Sequence, residues 1–326
     1  MILLSVFLIL IVLFLTVCYG IYRFAFYSPN RTQNDDHSVA YTPQMDPMRD
    51  HIMEMIDAVW AIPYEPVSIR SHDGLELHAK YYHLRDEAPL DICFHGYRGT
   101  PARDFSGGTQ IMRREGHNLL MIQERAQCGS GGHTITFGIQ ERYDCLDWLD
   151  YAIERFGPGT KIILVGISMG AATVLMASEL LLPEQVAGII ADCPYTTPLA
   201  IIRKVSRDEM HLLPLTGGFF ATAAARIFGR FRLNASSALE AVRHTRIPIL
   251  LIHGEADHFV PCEMSREIHA ANPDMTELHT FPDAGHGLSF LVDPERYETL
   301  VTSFSERVLA DRQQQQKQDK AAAEPV

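Results

Sequence analysis

Gly166-Ile167-Ser168-Met169-Gly170 lies between Lys161-Ile162-Ile163-Leu164-Val165 and Ala171-Ala172-Thr173-Val174-Leu175-Met176-Ala177. The first flank is short, β-branched and aliphatic, and reads as a buried strand. The second reads as a helix. G-x-S-x-G at a strand-to-helix junction predicts a turn so tight that only glycine fits on either side of the serine. Such a turn holds the hydroxyl clear of the backbone, above a sheet and at a helix N-terminus.

A serine hydroxyl needs a base to act as a nucleophile at neutral pH. In this architecture the partners follow in chain order, an acid and then a histidine. Ile247-Pro248-Ile249-Leu250-Leu251-Ile252-His253-Gly254 reads as a later strand ending in a turn. Glu255-Ala256-Asp257-His258-Phe259-Val260-Pro261 follows it and offers Asp257 as the orienting carboxylate, with Glu255 as the alternative. Glu277-Leu278-His279-Thr280-Phe281-Pro282 reads as a last strand, leading into Asp283-Ala284-Gly285-His286-Gly287. His286, in a glycine-flanked loop, is the expected base; His258 is a rival that precedes the last strand. The oxyanion donors are expected to be the backbone N–H groups of Met169 and of Tyr97 in His95-Gly96-Tyr97-Arg98-Gly99. His95 is read as shaping that loop by hydrogen bonding, and His253 as packing. No H-E-x-x-H or C-x-x-C occurs, so neither a metal nor a cofactor is expected.

Around these motifs the chain alternates strand and helix. An antiparallel hairpin with Asp73-Gly74 at its turn opens it. Strands are then expected near 90–94, 118–123, 161–166, 187–192, 247–253 and 277–281. Helices are expected near 101–115, 140–156, 169–182, 262–271 and 294–310. This predicts an α/β fold with a mostly parallel sheet flanked by helices, and catalytic loops at the carboxyl ends of the strands. Residues 195–245 are too long for a plain crossover and read as a helical cap insertion. Leu212-Leu213-Pro214-Leu215 and Gly217-Gly218-Phe219-Phe220 give it a hinge-like apolar segment, and the cap is expected to line an acyl pocket.

In this order the motifs resemble those of the α/β-hydrolase superfamily. The matching pieces are His95–Gly99, Gly166–Gly170, His253–Pro261 and Gly285–Gly287, over residues 65–310. Gln123-Glu124-Arg125-Ala126-Gln127-Cys128-Gly129-Ser130-Gly131-Gly132 resembles the superfamily's loop after the fourth strand. The chain is similar to bacterial serine hydrolases of the monoglyceride-lipase, serine-aminopeptidase and acylaminoacyl-peptidase-like groups. The resemblance implies an α/β-hydrolase fold and a hydrolase working through an acyl-enzyme on Ser168. Its expected substrate is a small ester or lipid-like molecule, as for a carboxylesterase or lysophospholipase-like enzyme. Amide hydrolysis, and a non-catalytic binding protein on the same fold, are the alternatives. Only about 65 residues precede the first strand, too few for the propeller that gates oligopeptidases of this kind. The H-G-Y loop also departs from the H-G-G-G form of hormone-sensitive-lipase-like esterases.

The N-terminus is unusual. No side chain from Met1 to Tyr22 is charged, and Ile2–Val17 is almost all Leu, Ile, Val and Phe. Residues 1–27 are read as a transmembrane helix with an interfacial belt of Tyr19, Tyr22, Phe24, Phe26, Tyr27 and Arg23. A cleaved signal peptide is the competing reading, but a basic n-region and an A-x-A-like site are missing. Leu15-Thr16-Val17-Cys18 looks like a lipoprotein box, except that Val17 stands where a small residue is expected. Arg23 and Arg31 follow the span and none precedes it, which favours a single-pass protein with a cytoplasmic catalytic domain. The six cysteines are scattered and do not read as a disulfide framework. Residues 28–64 are read as a juxtamembrane linker and a short amphipathic helix, its Met and Trp face packed in the core. Residues 311–326 are read as a disordered tail. A formal net charge of −12 argues against nucleic acid and against electrostatic docking to anionic lipid.

Overall fold

A computed structural model of the chain describes residues 1–29, 44–208 and 214–323. Its centre is an eight-stranded sheet. The strands are β1 (Glu65–Arg70), β2 (Glu76–Tyr82), β3 (Leu90–Phe94), β4 (Asn118–Gln123), β5 (Ile162–Ile167), β6 (Val186–Asp192), β7 (Ile249–Gly254) and β8 (Thr276–Phe281). Their order is β1-β2-β4-β3-β5-β6-β7-β8. β1–β2 and β2–β4 pair antiparallel and the other neighbouring strands parallel. Every residue of β3, β6 and β7 is buried, because helices cover both faces of the parallel part. This is the mostly parallel, helix-flanked sheet expected of the resemblance. Register sets the site: Phe94 pairs with Gly166 and Gly166 with Ala191, so the loops after β3, β5 and β6 emerge side by side.

The flanking helices are α3 (Pro101–Asp104), α4 (Gly108–Glu115), α5 (Glu141–Phe156), α6 (Met169–Ala177), α10 (Glu263–Ala271), α11 (Ser289–Val292) and α12 (Pro294–Ala323). The single helix expected at 101–115 is two. The chain breaks where the Phe290 ring packs on Gly107, so closely that a Cβ there would stand 2.3 Å from it. α12 runs on past residue 310 as far as Ala323, in a stretch expected to be disordered whose Gln, Lys and Ala are good helix formers.

The insertion contains α7 (Pro198–Asp208), α8 (Pro214–Ala224), a π-helical turn at Ala225–Gly229 and α9 (Ala238–His244). Leu212 and Leu213 lie outside the described residues, but Gly217-Gly218-Phe219-Phe220 is helix, not hinge. The two glycines let α8 lie against α7: a Cβ on Gly217 would stand 2.6 Å from Ser206, and one on Gly218 2.8 Å from Arg203.

At the N-terminus, α1 (Ile2–Ile21) is followed by a π-helical turn at Tyr22–Phe26. It is the one described helix long and apolar enough to cross a membrane. Of the linker and helix read at 28–64, residues 30–43 lie outside the described part, and α2 (Arg49–Trp60) is the short helix. The turn after α1 is built into the domain. Phe26 is fully buried, its ring 5.7 Å from Phe137 and 5.4 Å from Phe231. Ile135 N–H donates to Phe26 O at 2.8 Å and Ser28 N–H to His133 O at 2.9 Å.

Candidate active site

Ser168 lies between β5 and α6 with φ 55° and ψ −110°. A side chain seldom adopts this left-handed, strained backbone, and strain of this sort persists only where the surroundings enforce it. Here they do. A Cβ on Gly166 would lie 2.4 Å from Gly170 O, and one on Gly170 would lie 1.9 Å from Phe94 O. The glycines of the motif are therefore required by backbone packing, and the turn pushes the Ser168 hydroxyl outward.

The structure brings the three residues named from chain order together. His286 Nε2 is 2.9 Å from Ser168 Oγ, and His286 Nδ1 is 2.7 Å from Asp257 Oδ2. Asp257 Oδ1 accepts the N–H groups of Phe259 and Val260, each at 2.8 Å. Burial opposes ionisation of Asp257, but hydrogen bonds from His253 and His286 outweigh it and hold the carboxyl well below the usual carboxylate range. The resulting stability is present above the unfolded value and is lost as pH falls through the folded one. Glu255 is elsewhere: its carboxylate accepts from Thr280 at 2.6 Å and from Arg266 at 3.2 Å on the surface. His253 is fully buried, between Ser265 Oγ at 2.6 Å and Val260 O at 2.9 Å. The Phe259 ring meets His286 edge-on at 5.1 Å.

The backbone N–H groups of Tyr97 and Met169 carry no partner among the described residues. That of Met169 is an orphan donor of the first turn of α6. His95 sits beneath the loop, as its sequence context suggests, with Nδ1 2.8 Å from Gly96 O and Nε2 accepting Glu124 N–H at 3.2 Å. Asp104 was not singled out from sequence, yet its Oδ2 accepts Gly96 N–H at 2.6 Å. Thr100, capping α3 immediately after the loop, was the available signal. The outer side of the loop is tied to the segment after α1. Tyr97 OH donates to Ala25 O at 2.9 Å, and Arg98 donates to Phe24 O at 2.7 Å and Tyr27 O at 3.2 Å.

A cavity of about 920 Å³ opens beside Ser168 and His286. Ile52 and Met55 of α2, Ile111 and Met112 of α4, and Phe290 and Leu291 line it. No described residue of 195–245 does. The short helix packs in the core as read, with Ile52, Met55 and Ile56 buried, and Ile52 and Met55 also roof the chamber; the cap packs on α1.

Asp192 also lines the chamber. Its Oδ2 accepts Tyr297 OH at 3.1 Å, while Oδ1 has no partner among the described residues. Burial raises its pKa to about 6, only partly offset by His253 and the Tyr297 hydroxyl. A carboxyl with a raised folded pKa costs nothing below the unfolded value; its penalty grows between about pH 4 and 6 and is full above. Asp192→Asn keeps an acceptor for Tyr297 and is expected to be more stable by about 2–3 kcal/mol at pH 8. A thermal melting series should show the two proteins converging near pH 4; a gap independent of pH would contradict the assignment.

A family model described as "Alpha/beta hydrolase family" matches residues 92–300. Among curated proteins, the uncharacterized protein YqkD of Bacillus subtilis (strain 168) is 24% identical over 194 residues, which are 58% of this chain. The match spans 62% of that relative's length. The Pyrococcus furiosus esterase Pf2001 superposes with a TM-score of 0.63 at 20% identity, over 86% of this chain and 96% of that one. Est1E from Butyrivibrio proteoclasticus gives 0.56 at 21%, over 75% and 99%. The acylaminoacyl peptidase of Pyrococcus horikoshii gives 0.59 at 18%, over 77% of this chain and 43% of that one. At these identities the structural likeness is one of fold.

Proposed function

Because the chain belongs to the alpha/beta hydrolase family, we propose that it is a membrane-anchored serine hydrolase that cleaves carboxylic esters with an apolar acyl group. The observation that carries this reading is the unbroken chain Ser168–His286–Asp257, at 2.9 and 2.7 Å, opening into an apolar chamber. As Ser168 Oγ attacks the ester carbonyl, His286 Nε2 takes its proton. Asp257 fixes the tautomer with Nδ1–H and stabilises the imidazolium. The tetrahedral oxyanion is held by the N–H groups of Met169 and Tyr97. His286 then protonates the departing alkoxide, leaving the acyl group on Ser168. Water attacks the acyl-enzyme with the same base, the acid leaves and Ser168 is restored.

The lining favours an ester with an aliphatic acyl chain over a peptide, since Ile52, Met55, Ile111, Met112, Phe290 and Leu291 give a hydrocarbon chain apolar contact. A fluorophosphonate probe, followed by matched nitrophenyl esters and nitroanilides, tests both parts. Absence of labelling at Ser168 in folded protein would sink the serine mechanism; faster turnover of anilides would favour the peptidase alternative. The roof makes a further prediction. Met55→Trp fills the chamber and is expected to shift the preferred acyl chain to shorter esters, lowering kcat/KM for long chains about 10–200-fold. An unchanged chain-length profile would place the acyl group elsewhere.

Membrane anchoring is supported by α1 itself. Its apolar side chains are turned outward, Leu3 87% and Val12 63% exposed, a surface that water does not tolerate but lipid does. The competing signal-sequence reading is disfavoured by Tyr22–Ser28, which is bonded into the catalytic domain. The arginines after the span favour a cytoplasmic catalytic domain.

A further inference from the structure

We propose that α8 and the π-helical turn after it are a second membrane-embedding element, lying in one leaflet beside α1, with Arg226, Arg230 and Arg232 at the level of anionic lipid phosphates. This rests on reading α1 as a membrane anchor. Pro214 to Ala225 carries no charged side chain. The contacts between the two helices run in step. Phe14 meets Phe219 at 6.2 Å and Phe220 at 5.7 Å, while Tyr19 and Tyr22 meet Phe228 at 5.3 and 6.0 Å. The helices therefore point the same way, and Phe219 shares the depth of Phe14. At 1.5 Å per residue, that is roughly 12 Å inward from Tyr22. Phe14 lies within the apolar run Ile2–Val17, so a bilayer that holds α1 reaches the level of Phe219 on α8.

The faces of α8 fit this placement. Its inner side is small: Gly217 and Gly218 lie against α7, and Ala221 and Ala224 are buried. Its outer side carries no charge within Pro214–Ala224 and exposes Thr216, Phe219 and Thr222, with Phe219 61% exposed; Ile227 in the following turn is 43% exposed. A phenylalanine turned outward between threonines, over a face of glycine and alanine, suits a lipid boundary better than water.

Charge complements the apolar face. The chain carries −12, yet residues 195–245 hold seven Lys or Arg against three Asp or Glu. Arg226, Arg230 and Arg232 are exposed and, among the described residues, have no carboxylate partner. The three arginines flank Phe228, beside Tyr19 and Tyr22, where α1 leaves its apolar run. Basic groups at that level are drawn to anionic headgroups. The negative charge of the whole molecule therefore does not describe this face.

The test uses the full chain in liposomes, with Phe219→Trp as the reporter and Ile227→Trp as a second position should the first disturb packing. Brominated phosphatidylcholine serves as quencher, with and without phosphatidylglycerol. The expected result is added, blue-shifted emission that brominated lipid quenches and aqueous iodide does not. Quenching should strengthen with phosphatidylglycerol, and Arg226→Gln, Arg230→Gln and Arg232→Gln together should abolish that dependence. If the protein resists carbonate extraction while both reporters are quenched by iodide, α1 anchors the chain and α8 does not embed, which overturns the proposal alone. If carbonate releases the protein, the anchoring reading falls and the proposal falls with it. Quenching that is indifferent to phosphatidylglycerol refutes the role of the arginines.

Discussion

Ser168→Ala is expected to lower kcat on any cleaved ester by about 10⁶-fold, to the level left by binding and the oxyanion donors alone. Covalent labelling by a fluorophosphonate should vanish completely. The substitution removes one oxygen and leaves the turn intact, since its backbone is set by Gly166, Gly170 and the sheet rather than by the hydroxyl. Melting temperature should therefore stay within a degree or two. Turnover that survives in Ser168→Ala, measured by active-site titration to exclude contaminating hydrolase, would mean that the nucleophile lies elsewhere.

Asp257→Asn is expected to cost about 10⁴-fold in kcat with little change in KM. The amide is nearly the same shape, but it cannot stabilise the imidazolium and it permits the wrong tautomer of His286. Because the Asp257 carboxyl is held so low, it stays ionised across the working range and its loss should depress activity at every pH near neutrality. Glu255→Gln supplies the contrast. Its carboxylate serves Thr280 and Arg266 at the surface, and activity should stay near that of the parent. If the two variants exchanged these outcomes, the orienting acid would be Glu255. Both are read from steady-state kinetics on one nitrophenyl ester.

The sheet was legible because each parallel strand is an unbroken apolar run, and such runs have few other uses in a chain of this composition. Ser168, Asp257 and His286 could be named because each follows one of these runs, and chain order left few rivals. What could not be read was which apolar surface meets which. Amphipathic spacing in α2 said that Ile52 and Met55 face something apolar; only packing against Phe290 and Leu291 makes that something a chamber. Gly217-Gly218 signals either a bend or a close approach, and the neighbouring Ser206 decides for the second. The break at residues 105–107 depends on Phe290, distant in sequence, so no local pattern announces it. Asp104 escaped notice for the same kind of reason: an Asp in a first helical turn has an ordinary explanation, and its bond to Gly96 is visible only once the loop folds over it.

The tie between Tyr22–Ser28 and the loop at Tyr97–Arg98 bears on how the molecule is made. Its pieces leave the ribosome at different times. The turn holding Phe26 is synthesised first, and Phe231, whose ring covers it, comes some two hundred residues later. At ordinary elongation speeds of about 5–20 residues per second, that interval is roughly 10–40 s. Throughout it Phe26 lacks the Phe231 ring that covers it. The brace behind the Tyr97–Arg98 loop is thus complete only after Phe231 has been made and has closed over Phe26. A nascent chain whose N-terminus has gone astray would carry a serine and a histidine, but no properly latched hydrolase.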